Sequence, residues 1–237
     1  MPIKAVFFDL YNTLAGFNPP RDVIQARAAS RFGLTLTKEG VDAGYLEADA
    51  FMAAQNAGPR PVRTMSSPER DAFFARFEQI VLRGCGHDLP IDVTGQVWRA
   101  VTVQQYGLEL FDDVVTGLAQ LRQSGYTLGV ITNMNIGGDE VLTRFALVGH
   151  VDFAVSSRDA GAEKPYAPIF LAALKRAGVQ PDETVHVGDQ LEADIAGALN
   201  AGLRAVLIDR YNGHRGYTAH PRITSMSELE GVLALMA

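Results

Sequence analysis

Cysteine occurs once in the 237 residues, at Cys85, so an intrachain disulfide is excluded and a reducing compartment is expected. Positive charge is also scarce. Lys and Arg number 21 against 27 Asp and Glu, giving a net charge of −6 and a pI near 5.4. That balance argues against a duplex nucleic-acid binder, which works by neutralising phosphates. A small anionic substrate stays open, because a metal ion or one well-placed lysine can reverse the local field. Long hydrophobic runs are missing as well. The first apolar run, Ile3 to Phe8, ends at Asp9, too short for a signal segment or a membrane span. No membrane contact and a cytoplasmic location are therefore expected. Low-complexity stretches and internal repeats are absent, and the five histidines show no metal-binding spacing.

What is present is a chain with 47% apolar residues, enough for a large core and a smaller second one. Ile3 to Phe8, Thr127 to Ile131, Thr184 to Val187 and Arg204 to Ile208 read as buried strands, with Asp152 to Val155 a weaker one. Helical stripes lie between them: Val114, Leu118 and Leu121 before Gly125; Ile169, Ala173 and Leu174 before Gly178; Ile195, Ala198 and Leu199 before Gly202. A Ser225-x-x-Glu228 capping box opens the last helix. This alternation predicts an α/β fold, a Rossmann-like parallel sheet with helices on both faces. From about Gly16 to Gly107 only helical periodicity remains, including a helix opening at Ser67-Pro68 with Phe73, Phe74, Phe77, Ile80 and Val81 on one face. The expected division is a core of residues 1–15 and 109–237 with a helical domain of residues 16–108 inserted after the first strand.

In open α/β sheets, ligands bind beyond the carboxyl ends of the strands. Each strong strand here ends in polar residues. Asp9 with Tyr11 and Thr13 follows the first, Thr132-Asn133 ends the second, and Gly188-Asp189 with Asp194 ends the third, while Lys164-Pro165 lies between the last two. Alone, Asp9 reads as a turn cap, Thr132-Asn133 as turn chemistry, Lys164 as a surface lysine and Asp194 as a helix-dipole partner. Together they point to one site.

The combination resembles the haloacid dehalogenase-like hydrolase superfamily over nearly the whole chain. The resemblance rests on Phe8-Asp9-Leu10-Tyr11-Asn12-Thr13-Leu14, on Val130-Ile131-Thr132-Asn133, on Glu163-Lys164-Pro165 and on Gly188-Asp189-Gln190-Leu191-Glu192-Ala193-Asp194. It implies that the inserted helices form a cap and that Asp9 is a nucleophile on a small phosphorylated molecule, forming an aspartyl-phosphate. It further implies Mg²⁺ held by Asp9, the Tyr11 carbonyl and Asp189, with Asp194 as ligand or supporting partner. Thr132, Asn133 and Lys164 would bind the substrate, and Thr132 and Lys164 would hold the transferring oxygens.

One position departs from the family's phosphatases. Where they carry a second aspartate as general acid and base, this chain has Tyr11, whose ordinary pKa of about 10 suits neither role near neutral pH. Tyrosine at this position is what the family's 2-haloacid dehalogenases carry, in which the aspartate attacks carbon and no metal is needed. The acidic pair Asp189 and Asp194 favours the metal-dependent phosphatases, and no segment resembles an Arg- and Trp-containing halide site, with Trp98 beside Arg99 read as cap core. A third reading is a catalytically weak member that binds Mg²⁺ and phosphate. His186 reads as a hydrogen-bonded core histidine; His214 and His220 around Tyr217 read as a solvated loop, and Asn135 to Asp139 as the mouth of the site.

Overall fold

The computed structural model describes residues 2–236. In chain order it contains β1 (Ala5–Phe8), β2 (Ala15–Asn18), α1 (Arg21–Ser30), α2 (Lys38–Ala57), α3 (Ser67–Gly84), α4 (Ile91–Thr102), β3 (Gly107–Leu110), α5 (Val114–Gln123) and β4 (Thr127–Thr132). Then come α6 (Gly138–Arg144), β5 (Phe153–Ser156), α7 (Ser157–Ala160), α8 (Ala167–Ala177), β6 (Thr184–Gly188), α9 (Gly197–Asn200), β7 (Arg204–Ile208), β8 (Arg222–Ile223) and α10 (Leu229–Met236). The chain divides into two compact units, one holding the residues up to Gly16 and from Leu108 onward, the other Phe17–Gly107.

The first unit is built on a six-stranded sheet of order β5-β4-β1-β6-β7-β8, parallel at every pairing. All four residues of β1 are buried, because successive side chains enter opposite cores. Val6 and Phe8 join Leu128, Val130, Val185 and Val187 beneath α5 and α10, whereas Ala5 and Phe7 join Ile131, Phe153, Ile169 and Phe170 beneath α8. The Rossmann-like architecture expected from the sequence is thus present, with helices on both faces. β8 escaped the sequence reading because two residues are too few to show alternation. β2 and β3, which form a separate two-stranded sheet at the two chain crossings between units, escaped it as well.

A larger difference follows β6. Instead of a regular helix around Ile195, Leu191–Ala196 winds as a π-helical turn before the short α9. The amides of Asp194 and Ile195 both bond the Gln190 carbonyl, at 3.0 and 3.1 Å. Asp194 meanwhile folds back over Gly188, where an added Cβ would come within 2.2 Å of its carboxyl carbon. A widened turn of this kind costs helix regularity and is typical where a side chain must be aimed.

The second unit consists of α1 to α4. Its α3 begins one residue earlier than the sequence suggests, with Ser66 rather than Ser67 at the N-cap, because Glu69 reaches back to the Ser66 amide at 2.8 Å in a capping box. Gly84 is the last residue of α3, and its lack of a side chain serves packing. It lets α3 approach α2, since a Cβ there would lie 2.4 Å from the Gly44 nitrogen, and one on Gly44 would lie 2.3 Å from the Val81 carbonyl oxygen. The aromatic stripe faces inward on both sides of α3: Phe73 stacks on Phe51 at 4.9 Å, Phe74 on Trp98 at 4.6 Å, and Phe77 meets Tyr45 edge-on at 5.8 Å. Trp98 is therefore packing, and its neighbour Arg99 is exposed.

One acid lies inside this helical core. Glu78 is fully buried and accepts a bond from Gln25 at 3.1 Å, while the same amide nitrogen reaches the Tyr45 hydroxyl at 3.2 Å. Burial pushes the Glu78 carboxyl up to about 7, and the Gln25 bond offsets only part of this. The folded unit therefore binds a proton that the unfolded chain releases, so stability falls as pH rises from about 4.5 to about 7 and levels off above. Glu78→Gln should flatten that slope, worth roughly 3 kcal/mol for a shift of this size. Thermal melts of both proteins at about pH 5 and about pH 8 check it: the wild type should lose far more than the variant between the two.

Candidate functional site

The parallel register delivers the chemistry to one place. Phe8 lies beside Val130 of β4 and Val187 of β6, so the next residues of these three central strands emerge together at their carboxyl ends. The Asp9 amide still bonds the Val187 carbonyl at 2.9 Å, which fixes Asp9 against Gly188 and Asp189. Carboxylate oxygens of Asp9, Asp189 and Asp194 all lie within 4.8 Å of one another. The structure thus brings together Asp9, Asp189, Asp194 and Lys164 from three separate stretches of chain.

Lys164 is the centre of the group. Its Nζ, in a side chain only 3% exposed, donates to Asp9 Oδ1 at 2.5 Å and to Asp194 Oδ1 at 2.6 Å. Burial disfavours the ammonium, but the two carboxylates outweigh it and hold the pKa above the ordinary lysine value. Asp194 also receives His186 Nε2 at 3.0 Å on Oδ1 and the Gln190 amide at 3.0 Å on Oδ2. Burial raises its pKa, yet Lys164 and His186 together bring it below the usual carboxylate range. Asp9 goes the other way: burial pushes it up to about 6, with Lys164 pulling down and Asp194 adding repulsion. His186, expected as a core histidine, is buried with its ring edge-on to Phe170 at 5.3 Å, and burial holds it below the ordinary imidazole value.

The charges do not balance. Three carboxylates, with Asp9 and Asp194 buried and Asp189 half-buried, face one ammonium and a neutral imidazole, an excess of two formal negative charges. Clustered hard oxygen donors with that excess suit a divalent cation. Both Asp194 oxygens already accept protein hydrogen bonds, and Asp9 Oδ1 accepts one from Lys164.

Thr132 ends β4, buried, and its Oγ1 accepts the Met134 amide at 3.3 Å. Asn133 is engaged with the lysine rather than pointing away from it. Its Oδ1 accepts the Lys164 amide at 2.7 Å, and its Nδ2 donates to the Lys164 carbonyl at 3.1 Å. The loop beyond is pinned from below. Ser157 Oγ lies 3.0 Å from the Asn133 carbonyl, and Asp159 accepts the Gly138 amide at 2.8 Å. The sequence reading missed Ser156, Ser157 and Asp159, although Ser156-x-x-Asp159 has capping-box spacing and could have revealed them. Tyr11 stands in the turn after β1, half-buried. On the far side, Asp209 accepts the amides of Gly213 and His214, both at 2.8 Å, so the His214 loop is anchored rather than loose.

Removing Lys164 should leave two buried carboxylates uncompensated. Lys164→Met is expected to cost roughly 3–5 kcal/mol in urea unfolding at neutral pH, with a smaller loss in acid where the carboxyls take up protons. An unchanged midpoint would show that the ammonium does not hold these groups together.

The comparisons agree with this geometry. A family model described as haloacid dehalogenase-like hydrolase matches residues 3–202. Among curated proteins, a glyceraldehyde 3-phosphate phosphatase of Methanothermobacter thermautotrophicus is 30% identical, covering 87% of this chain and 86% of its own. A ribulose-1,5-bisphosphate 5-phosphatase of Halopiger xanaduensis is 31% identical, covering 86% and 84%. Among solved structures, a 2-haloacid dehalogenase from Pseudomonas syringae superposes with a TM-score of 0.56 at 28% identity, covering 99% and 100%. No helix among the described residues is long and apolar enough to cross a membrane. With the parallel sheet, the inserted helices and the aspartate cluster all in place, the chain belongs to the haloacid dehalogenase-like hydrolase family.

Proposed function

We propose that the protein is a Mg²⁺-dependent phosphatase of small phosphorylated metabolites, with Asp9 as nucleophile. The observation that carries this reading is the acidic triad of Asp9, Asp189 and Asp194 around one buried lysine, whose surplus negative charge a divalent cation would balance. Sugar and triose phosphates, the substrates named for curated relatives, are the first class to test. Mg²⁺, once bound, would polarise the phosphoryl group and shield it from the carboxylates. Asp9 and Asp189, with the Tyr11 carbonyl, would hold it.

The chain's own residues do the remaining work. Asp9 Oδ attacks phosphorus as the P–O bond to the leaving group breaks, giving an aspartyl-phosphate and the free alcohol, and water then cleaves the aspartyl-phosphate to release inorganic phosphate and restore the Asp9 carboxylate. Lys164 holds Asp9 in place and balances charge on the transferring oxygens, and the Thr132 hydroxyl lies at the adjacent strand end to donate to them. Asn133, which the sequence suggested as a substrate contact, serves this reading by holding the Lys164 backbone with both ends of its amide. The inserted helices are the proposed cap, excluding water and selecting the leaving group.

Tyr11 supports a second reading, a 2-haloacid dehalogenase using the same Asp9 without metal, and the structural likeness to the Pseudomonas syringae enzyme gives it weight. Comparing p-nitrophenyl phosphate hydrolysis with and without Mg²⁺ beside halide release from 2-chloropropionate separates the two. Magnesium-dependent phosphate release that vanishes in Asp9→Asn is expected; metal-independent halide release would replace this reading with the second. Calorimetric Mg²⁺ binding that weakens in Asp189→Asn, without turnover of either substrate, would indicate a binding protein.

Tyr11 also constrains the substrate. General acid assistance is worth roughly 10²–10⁴ in rate, so acetyl phosphate and p-nitrophenyl phosphate, whose leaving groups depart without a proton, should turn over faster than sugar phosphates. Faster cleavage of sugar phosphates would mean that the proton comes from elsewhere. Tyr11→Asp should raise the rate on sugar phosphates; no gain in a folded variant would place position 11 away from the leaving group.

A further inference from the structure

The turn that follows the nucleophile is held by backbone bonds, and a side chain from beyond β7 joins them. Within the turn, the Asn12 amide bonds the Ala15 carbonyl at 2.7 Å, and the Leu14 and Ala15 amides both reach the Leu10 carbonyl, at 2.9 and 2.8 Å. Asn12 takes a left-handed conformation, φ 60°, which asparagine tolerates better than most residues. The Leu14 carbonyl accepts the Phe111 amide at 3.0 Å. The Thr13 carbonyl accepts Arg210 Nε at 2.7 Å, a bond across 197 positions of sequence.

Arg210 is itself held through Nε, Nη1 and the face of its guanidinium, while its buried Nη2 makes no hydrogen bond. Its side chain is 7% exposed, and Nη1 lies 3.0 Å from Asp113 Oδ2. The same oxygen accepts Ser225 Oγ at 2.7 Å and the Met226 amide at 2.9 Å. The guanidinium also stacks over the Phe111 ring at 4.2 Å, and that ring sits so close to Gly16 that an added Cβ would approach it to 2.6 Å. A nearly buried arginine with its fork committed to one carbonyl, one carboxylate and one ring face has little freedom to move.

We infer that Arg210 is a positioning residue for the nucleophile turn, locking Thr13 and thereby the Asp9–Ala15 segment to β7, to the segment before α5 and to the start of the C-terminal helical segment. Arg210 touches none of the reacting groups described above. The effect on catalysis rests on the hydrolase reading, but the placement of the turn does not. Small displacements of a reacting group cost much of the advantage of pre-alignment.

The test uses the full-length protein with Arg210→Met, Arg210→Lys and Asp113→Asn. Amide hydrogen exchange is the first readout. Protection of Asn12, Leu14 and Ala15 should fall at least about tenfold in Arg210→Met, while amides in β4 keep the wild-type rate. Arg210→Lys should fail to rescue it, because lysine has charge without the planar fork. Unchanged exchange in the turn, or full rescue by lysine, overturns the inference. Should Arg210→Met not fold, Asp113→Asn carries the test in weaker form: loosening the guanidinium should lower the turn's protection part of the way, and a turn as protected as in wild type overturns the lock from Thr13 through Arg210 to the segment before α5. With magnesium and p-nitrophenyl phosphate as second readout, kcat should drop roughly tenfold at nearly constant KM. A rise in KM alone would overturn the positioning role. If the wild type hydrolyses no phosphate ester, the exchange data still decide whether Arg210 holds the turn, so the two failures are distinguishable.

Discussion

The buried ammonium of Lys164 is the constraint on which the rest of the site depends. Asp9 and Asp194 come from the ends of different strands and lie nearly out of water; only a cation between them lets both stay near each other. Much of the surrounding structure serves that one contact. Asn133 holds the lysine backbone at both its amide and its carbonyl, the π-helical turn swings Asp194 back towards β6, and Gly188 leaves room for it. His186 adds a neutral hydrogen-bond partner from within the sheet. The site is therefore a charge arrangement first and a pocket second.

Two opposite treatments of buried acids coexist in the chain. Around Lys164 acids are compensated by an ammonium and by amide donors, so Asp194 stays ionised. In the helical unit Glu78 is held by the Gln25 amide, and burial raises it to about 7, so it is only partly ionised near neutral pH. The second keeps a polar group inside a helical core dominated by Phe77, Val81 and Tyr45 at the cost of pH sensitivity.

Much of this was legible in the sequence because strand ends carry their own signature. Apolar runs such as Ile3 to Phe8 and Thr184 to Val187 announce buried parallel strands, and the residues directly after them must then share one edge of the sheet. Lys164 was harder, since it sits in a loop, and only its likeness to a known family pattern separated it from a surface lysine. Features set by tertiary packing left no local trace. The true partner of Asn133, the commitment of Gly84 to Gly44, and the reach of Arg210 to Thr13 all depend on segments far away in sequence. The widened turn at Leu191–Ala196 was invisible because its apolar spacing still satisfies a regular helix.

The position of β1 in the middle of the sheet has a consequence for biosynthesis. Its neighbours β4 and β6 lie more than a hundred residues downstream, and the partner of Asp9 is 155 positions away. As the chain leaves the ribosome, β1 is made first and stays without either neighbour until most of the polypeptide has been translated. Contacts of such high sequence separation form slowly, because the loop must close before any strand pairing rewards it. The intervening helical unit shortens that wait: as a compact body with its own cores, it can draw the two crossing points together and turn a long search into a short one.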